Sequence, residues 1–256
     1  MELRERLGFR DGDRGLHTGR SMMYADIERL LDASRPDAGL EEFKRLAVED
    51  NVLGKRTAIT REHTRRKLKA LYGLDPSIPV YRVMRQLWEL DHDGRPLLAL
   101  LCCAARDPLL RRLAPEILSA KPGAPTVASD VVTMIERMMP GRFSESSTSS
   151  LATHVLTSLT VAGHVEGRGK KTRARATPTP GSTAYALFLG FLEGARAQQL
   201  YHTEWAALLD VKPGRIDELA RLAGQRGWID YRNAGGVIEV RFPDLLTAEE
   251  QEWLRE

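Results

Sequence analysis

A chain of 256 residues that is 42% hydrophobic and 29% charged can bury a sizeable core and, by its length, hold two or three small domains. Thirty-eight lysines and arginines against 35 acidic residues leave a formal charge of only +3. That excludes a uniformly polybasic protein, so any polyanionic partner must be met by locally placed charge.

Residues 1–20 are polar and glycine-bearing, without the apolar core of a signal peptide, and are expected to form a flexible arm. From 21 to 34, Met23, Ile27, Leu30 and Leu31 share one helical face behind a cap at Ser21. Residues 39–54 repeat the pattern through Leu40, Phe43, Ala47 and Val48, and Gly54 can end the helix. The stretch 50–73 is the first with an unusual charge. It sets Lys55, Arg56, Arg61, Arg65, Arg66, Lys67 and Lys69 against Glu62 as the acidic side chain among them. Thr57 or Thr60 caps a predicted helix through Tyr72, which turns Thr64, Leu68, Leu71 and Tyr72 inward and stops at Gly73. Arg61, Arg65 and Lys69 are spaced by four and share a face, with Arg66 on its flank. Thr57, Thr60 and the helix start offer hydroxyls and amides to a phosphate. A solvated basic helix and a phosphate-facing surface are the two readings.

An amphipathic helix is predicted over 80–91. The apolar run 96–105 is too short to span a bilayer and is bounded by Arg95 and Arg106, so it reads as a buried helix. It holds both cysteines, Cys102 and Cys103, whose adjacency fits neither a CxxC pair nor a secreted scaffold and points to a reducing cytoplasm. A further helix covers 107–120, with Pro108 at its start and Pro115 kinking or dividing it. The first domain is therefore a helical bundle over 21–120, and 121–126 is the expected boundary.

Beyond it, helix and short strand alternate twice. Residues 127–181 give two helices, a strand at 164–167 and a basic, acid-free run holding Arg168, Lys170, Lys171, Arg173 and Arg175. A wing would lie there, mobile when free and ordering on a phosphate backbone. Residues 182–256 give a helix, a short helix at 203–210, a turn, a helix at 215–227 and a hairpin turning at Asn233-Ala234-Gly235-Gly236. That order is a winged helix-turn-helix. Its recognition helix offers Arg215, Arg221, Gln225 and Arg226, with Lys212 in the turn before it. Asp217 and Glu218 near its start either oppose an incoming phosphate or stabilise the helix start. The fold class is mainly α: a helical amino-terminal domain followed by winged helix-turn-helix-like modules.

Sites of chemistry are not legible. Asp91, His92 and Asp93 form a metal-like cluster, but the chain supplies no further ligands at suitable spacing, and a solvated turn is the simpler reading. There is no phosphate loop, nucleophile elbow or HExxH. No enzymatic activity, cofactor or metal is expected.

Asn51, Leu53, Lys55, Arg56, Thr60, Arg65, Leu68 and Leu71, then LLALLCCAARDPLLRRLAPEIL and FSESSTSSLATHVLTSLTVAGHVEG, resemble the BrxA family of BREX phage-defence systems over roughly residues 20–180. The resemblance implies a small helix-rich DNA-binding protein without known enzymatic chemistry, encoded beside larger methylation and ATPase components. It implies DNA-binding surfaces on the helix Thr60 to Tyr72 and on the later basic segment. Loop lengths and the terminal hairpin depart from the family pattern. The expectation is a cytoplasmic protein that contacts double-stranded DNA, with other BREX proteins as further partners, without entering a membrane. A protein-docking scaffold and a structured-RNA binder are the alternatives, since winged helices also dock proteins.

Overall fold

The computed structural model describes residues 2–12 and 15–255. They are mostly α-helical, with two small antiparallel hairpins among the described residues. None of the described helices is long and apolar enough to cross a membrane.

The helices of the amino-terminal half are α1 (Leu3–Leu7), α2 (Tyr24–Asp32), α3 (Leu40–Lys44), α4 (Ala58–Tyr72), α5 (Pro79–Leu90), α6 (Arg95–Arg106) and α7 (Pro108–Leu118). A π-helical turn, Arg45–Glu49, extends α3. Local signals set these ends. Thr57 accepts a hydrogen bond from the Thr60 amide, Pro79 and Pro108 sit in first turns, and Asp107 accepts from the amides of Leu109 and Leu110. Pro115 does not divide α7, which continues to Leu118.

Helix α6 is the hub. It packs on α4, α5 and α7, and all its residues except Pro96 are buried. Each fully buried leucine there contributes about 1.5–3 kcal/mol. Its flanking arginines are buried too, because their guanidinium groups are bound. Arg95 donates to the Trp88 carbonyl and Asp32, and Arg106 donates to the carbonyls of Ala70 and Gly8. Burial pushes both cysteine thiols up, Cys102 to about 11, so neither is a thiolate at neutral pH.

Where a flexible arm is expected over 1–20, its described residues are anchored to the rest of the fold. Leu7, Phe9 and His17 are buried, and the Phe9 ring lies 5.6 Å from that of Trp205. Gly8 ends α1 at φ +107°, and a Cβ there would meet Ile78 at 2.3 Å. These few apolar residues have no helical period of their own. Their burial depends on a groove supplied by distant parts of the chain.

Next come α8 (Ala128–Met138), α9 (Glu145–Val161) and strands β1 (Val165–Glu166) and β2 (Thr172–Arg173). The boundary segment joins this hairpin. Pro125 bridges to Thr172, the Thr126 amide donates to the Lys171 carbonyl, and the Gly123 amide donates to the Arg173 carbonyl.

The last part holds α10 (Pro180–Leu192), a 3-10 turn (Ala197–His202), α11 (Glu204–Ala207), α12 (Pro213–Gln225), β3 (Asp230–Ala234), β4 (Val237–Arg241) and α13 (Ala248–Trp253). The β3–β4 register pairs Ala234 with Val237, so the turn is Gly235-Gly236, both at positive φ. A two-residue loop of that kind matches the twist of its strands. Helix α10 is nearly all buried because it packs both on α11 and α12 and on α5 and α6. Tyr185 donates to the Val80 carbonyl at 2.7 Å, and the Gly181 amide donates to Asp91 at 2.7 Å. Asp91 is thus no solvated turn residue: it is buried and anchors the first turn of α10. One continuous apolar core draws on both halves of the chain.

Candidate nucleic-acid interface

Three basic elements are candidates, and the structure treats their side chains differently. On α4, Thr57 and Thr60 are exposed at the cap, their hydroxyl oxygens 2.9 Å apart. Lys55 is tied to Asp26 at 2.6 Å. Arg61 donates to the carbonyls of Lys55 and Val48, each at 3.1 Å. Arg65 grips Glu62 with two nitrogens, at 2.8 and 2.6 Å, and Arg66 reaches the same carboxylate at 2.7 Å. These bonds from Arg65 and Arg66 hold the Glu62 carboxyl down to about 2. The stripe Arg61–Arg65–Lys69 is therefore not a free cationic face. Arg61 and Arg65 are half-buried and committed, whereas Arg56, Arg66 and Lys69 stay exposed. Burial lowers the Lys67 ammonium, helped by Arg20.

In the middle hairpin, Gly167 makes the turn at φ +95°, and a Cβ there would lie 2.2 Å from the Lys170 carbonyl oxygen. Arg168 and Lys170 are exposed at the tip, and Arg175 is exposed beyond β2. Lys171 is half-buried and donates to Thr160 of α9 at 2.9 Å. Arg173 is a correction to the expected basic loop. It is 1% exposed, donates to the carbonyls of His164 and Leu118, and lies 2.8 Å from Asp210. It is a core cation, closed in because β2 pairs inward against the boundary segment.

Helix α9 faces this hairpin and carries hydroxyls that the pattern of cations in the sequence does not mark. Ser146, Ser149 and Thr153 are exposed, and Thr157 is half-buried. Thr153 and Thr157 donate to carbonyls four residues back, which leaves their oxygen lone pairs outward. Thr153, Leu156, Thr157, Gly169 and Lys171 line a groove of about 300 Å³ between helix and hairpin. The signal in the sequence is the run of Ser and Thr at spacings of four along a helix whose apolar residues face inward.

In the carboxy-terminal part, Lys212 caps α12, and Arg221 and Gln225 are exposed along it. Arg215 is paired with Glu218 at 2.7 Å, and the Arg226 guanidinium sits 4.8 Å over the Trp228 ring. Asp217 does not simply oppose a phosphate. It accepts from Tyr231, Asn233 and Tyr201, and these bonds, that of Tyr231 foremost, lower its carboxyl. It fixes the hairpin to the helix.

A buried Ser–His–Asp arrangement also went unforeseen. His17 Nδ1 lies 2.7 Å from Asp107 and Nε2 lies 2.9 Å from Ser158 Oγ, with all three residues fully buried. Ser158 Oγ also accepts from the Met22 amide and donates to the His154 carbonyl. A serine so enclosed and so bonded has no approach for a substrate carbonyl. The three residues tie the first segment to α7 and α9, and their separations of 90 and 141 residues put them beyond any sequence motif. Among the described residues, no group of three or more acidic, histidine or cysteine side chains is placed to hold a metal ion.

Comparison with protein-family models returns no match, and comparison with curated proteins returns none.

Proposed function

We propose that this protein binds double-stranded DNA, with the middle part of the chain as the principal contact. The observation that carries it is that Thr153 and Thr157 of α9 share one groove with Gly169 and Lys171 of the hairpin, whose tip exposes Arg168 and Lys170. Taken with α7, the paired segment at Pro125, α8 and the hairpin, this is the order of a winged helix-turn-helix, with α9 as its recognition helix. Hydroxyls suit either phosphate or base edges, and exchanging a helix carbonyl for a phosphate gives them a charge-assisted partner. The order α10, α11, α12, β3, β4 supports a second winged module, with Lys212, Arg221 and Gln225 outward. The BREX defence setting follows from the BrxA resemblance alone.

Fluorescence anisotropy with duplex DNA across a salt series tests this. Affinity should fall steeply with salt, and Arg168→Ala with Lys170→Ala should reduce the slope of log affinity against log salt by about 2. An unchanged slope would remove the hairpin from the interface. Duplex RNA as competitor ranks RNA against DNA.

A specific observation favours a protein-docking role for the carboxy-terminal part. Three of its cations are compensated in place, Arg215 by Glu218, Arg241 by Glu239 and Arg232 by Asp230. If a partner from the native host stays associated after nuclease treatment, that part is a docking module.

A further inference from the structure

The carboxy-terminal part carries an open groove of about 360 Å³, lined by residues remote in sequence from α9 and its hairpin. Its floor is apolar: Phe191 near the end of α10, Phe242 just after β4, Leu246, and Leu254 just after α13. The walls are fixed. Phe242 stands edge-on to Phe188 and Phe191, with ring centroids 5.4 and 5.1 Å apart. Helix α13 is held through Glu250, whose carboxylate accepts from Arg82 of α5 and from the Thr247 amide, and through Trp253, which lies 3.9 Å below the Arg6 guanidinium.

The charge around this floor has one sign. Three exposed arginines, Arg196, Arg241 and Arg255, line the groove, and no carboxylate does among the described residues. Arg241 is compensated by Glu239. Neither Arg196 nor Arg255 has an ion-pair partner among the described residues. Arg196 is nevertheless set in place. Its Nη1 donates to the carbonyls of Phe191 and Ala195, each at 2.8 Å, and its guanidinium lies 3.8 Å over the Phe191 ring. Nε and Nη2 are left for an incoming acceptor. Burial lowers this guanidinium, with no acid to raise it.

We infer that the groove docks an acidic segment of a partner protein, with leucine or phenylalanine side chains on the floor and carboxylates at Arg196 and Arg255. This deepens the docking reading of the carboxy-terminal part and rests on it. A guanidinium fork matches a carboxylate, and an apolar groove takes the apolar side chains of a peptide. A phosphate backbone would meet the cations but leave the floor uncovered. A lone carboxylate would meet one cation and leave the other.

A fluorescein-labelled peptide in which glutamates flank a leucine pair, added to the purified full chain, tests this by anisotropy. It should bind saturably and more weakly as salt rises. Versions with lysine for each glutamate, or serine for each leucine, should not bind. Arg255→Glu, at an exposed position, and Gln251→Glu, a near-isosteric charge in the groove wall, should each weaken the peptide about tenfold at an unchanged melting temperature. No saturable binding, equal binding of the serine version, or unchanged affinity in both variants would overturn the assignment. So would a loss of duplex DNA affinity in Arg255→Glu as large as its loss of peptide affinity, or a sedimenting dimer of the parent that Arg255→Glu makes monomeric. The docking reading fails separately, if nuclease strips every host partner from the parent. A nuclease-resistant partner kept by both variants would leave docking standing and move it off this groove.

Discussion

At the scale of single residues, Arg173 and Arg168 look alike in sequence and differ wholly in consequence. Arg173→Ala leaves the Asp210 carboxylate without its ion-pair partner and the Leu118 carbonyl without the Arg173 donor in a buried setting, so a loss of about 3 kcal/mol in a urea titration is expected. Arg168→Ala should stay within about 0.5 kcal/mol of the parent. The same cluster sets a pH dependence. Burial lowers His164, whose Nδ1 stands 3.9 Å from Asp210, too far for a hydrogen bond. A base whose folded value lies below its ordinary 6.5 takes up protons on unfolding, so stability falls as pH drops through that range. Burial pushes Asp210 up, but His164 and Arg173 outweigh it and leave it lowered. Its contribution is therefore present above the ordinary carboxylate value and lost at lower pH. His164→Gln should flatten the loss between neutral pH and about pH 5 in urea titrations. An unchanged slope would mean another group carries it.

Among elements, α4 and the middle hairpin make opposite predictions. Replacing Arg61, Arg65 and Lys69 together by alanine keeps helix propensity, but it strands the carbonyls of Lys55 and Val48 and removes two of the three arginine bonds to Glu62. Stability should drop by about 1–2 kcal/mol, and the salt slope of DNA binding should shrink by about 1, from Lys69 alone. Gly167→Ala removes no charge, yet its Cβ collides with the Lys170 carbonyl at a φ that disfavours alanine. Duplex affinity should fall as far as in the double mutant of Arg168 and Lys170, measured by the same anisotropy titration. What the sequence made legible is what depends on near neighbours. The Thr57 cap, the inward face Thr64–Leu68–Leu71 and the Gly73 stop all lie within one helix. The fates of Arg61, Arg65 and Arg173 were not legible. A cation's exposure depends on which acceptors other elements bring to it, and Asp210 comes from 37 residues downstream of Arg173. The hydroxyl face of α9 stands in the sequence as Ser149, Thr153 and Thr157, but uncharged hydroxyls are not set apart there from other polar helix positions.

Over the whole molecule, helix α10 belongs to two neighbourhoods at once. Its Tyr185 reaches Val80, Asp91 holds its first turn, and its far side seats α11 and α12. A fragment of residues 1–120 should therefore lack its cooperative thermal transition by circular dichroism, whereas the full chain melts as one. A sharp transition in the fragment would show that the bundle closes without α10. The same sharing governs the order of events on the ribosome. The amino-terminal helices leave the exit tunnel first, but they cannot complete their packing until residue 192 has followed. At bacterial to eukaryotic rates of 5–20 residues per second that delay is roughly several seconds. Through it the faces of α5 and α6 that α10 will cover stand bare, and this is the stage of synthesis at which a chaperone has something to hold.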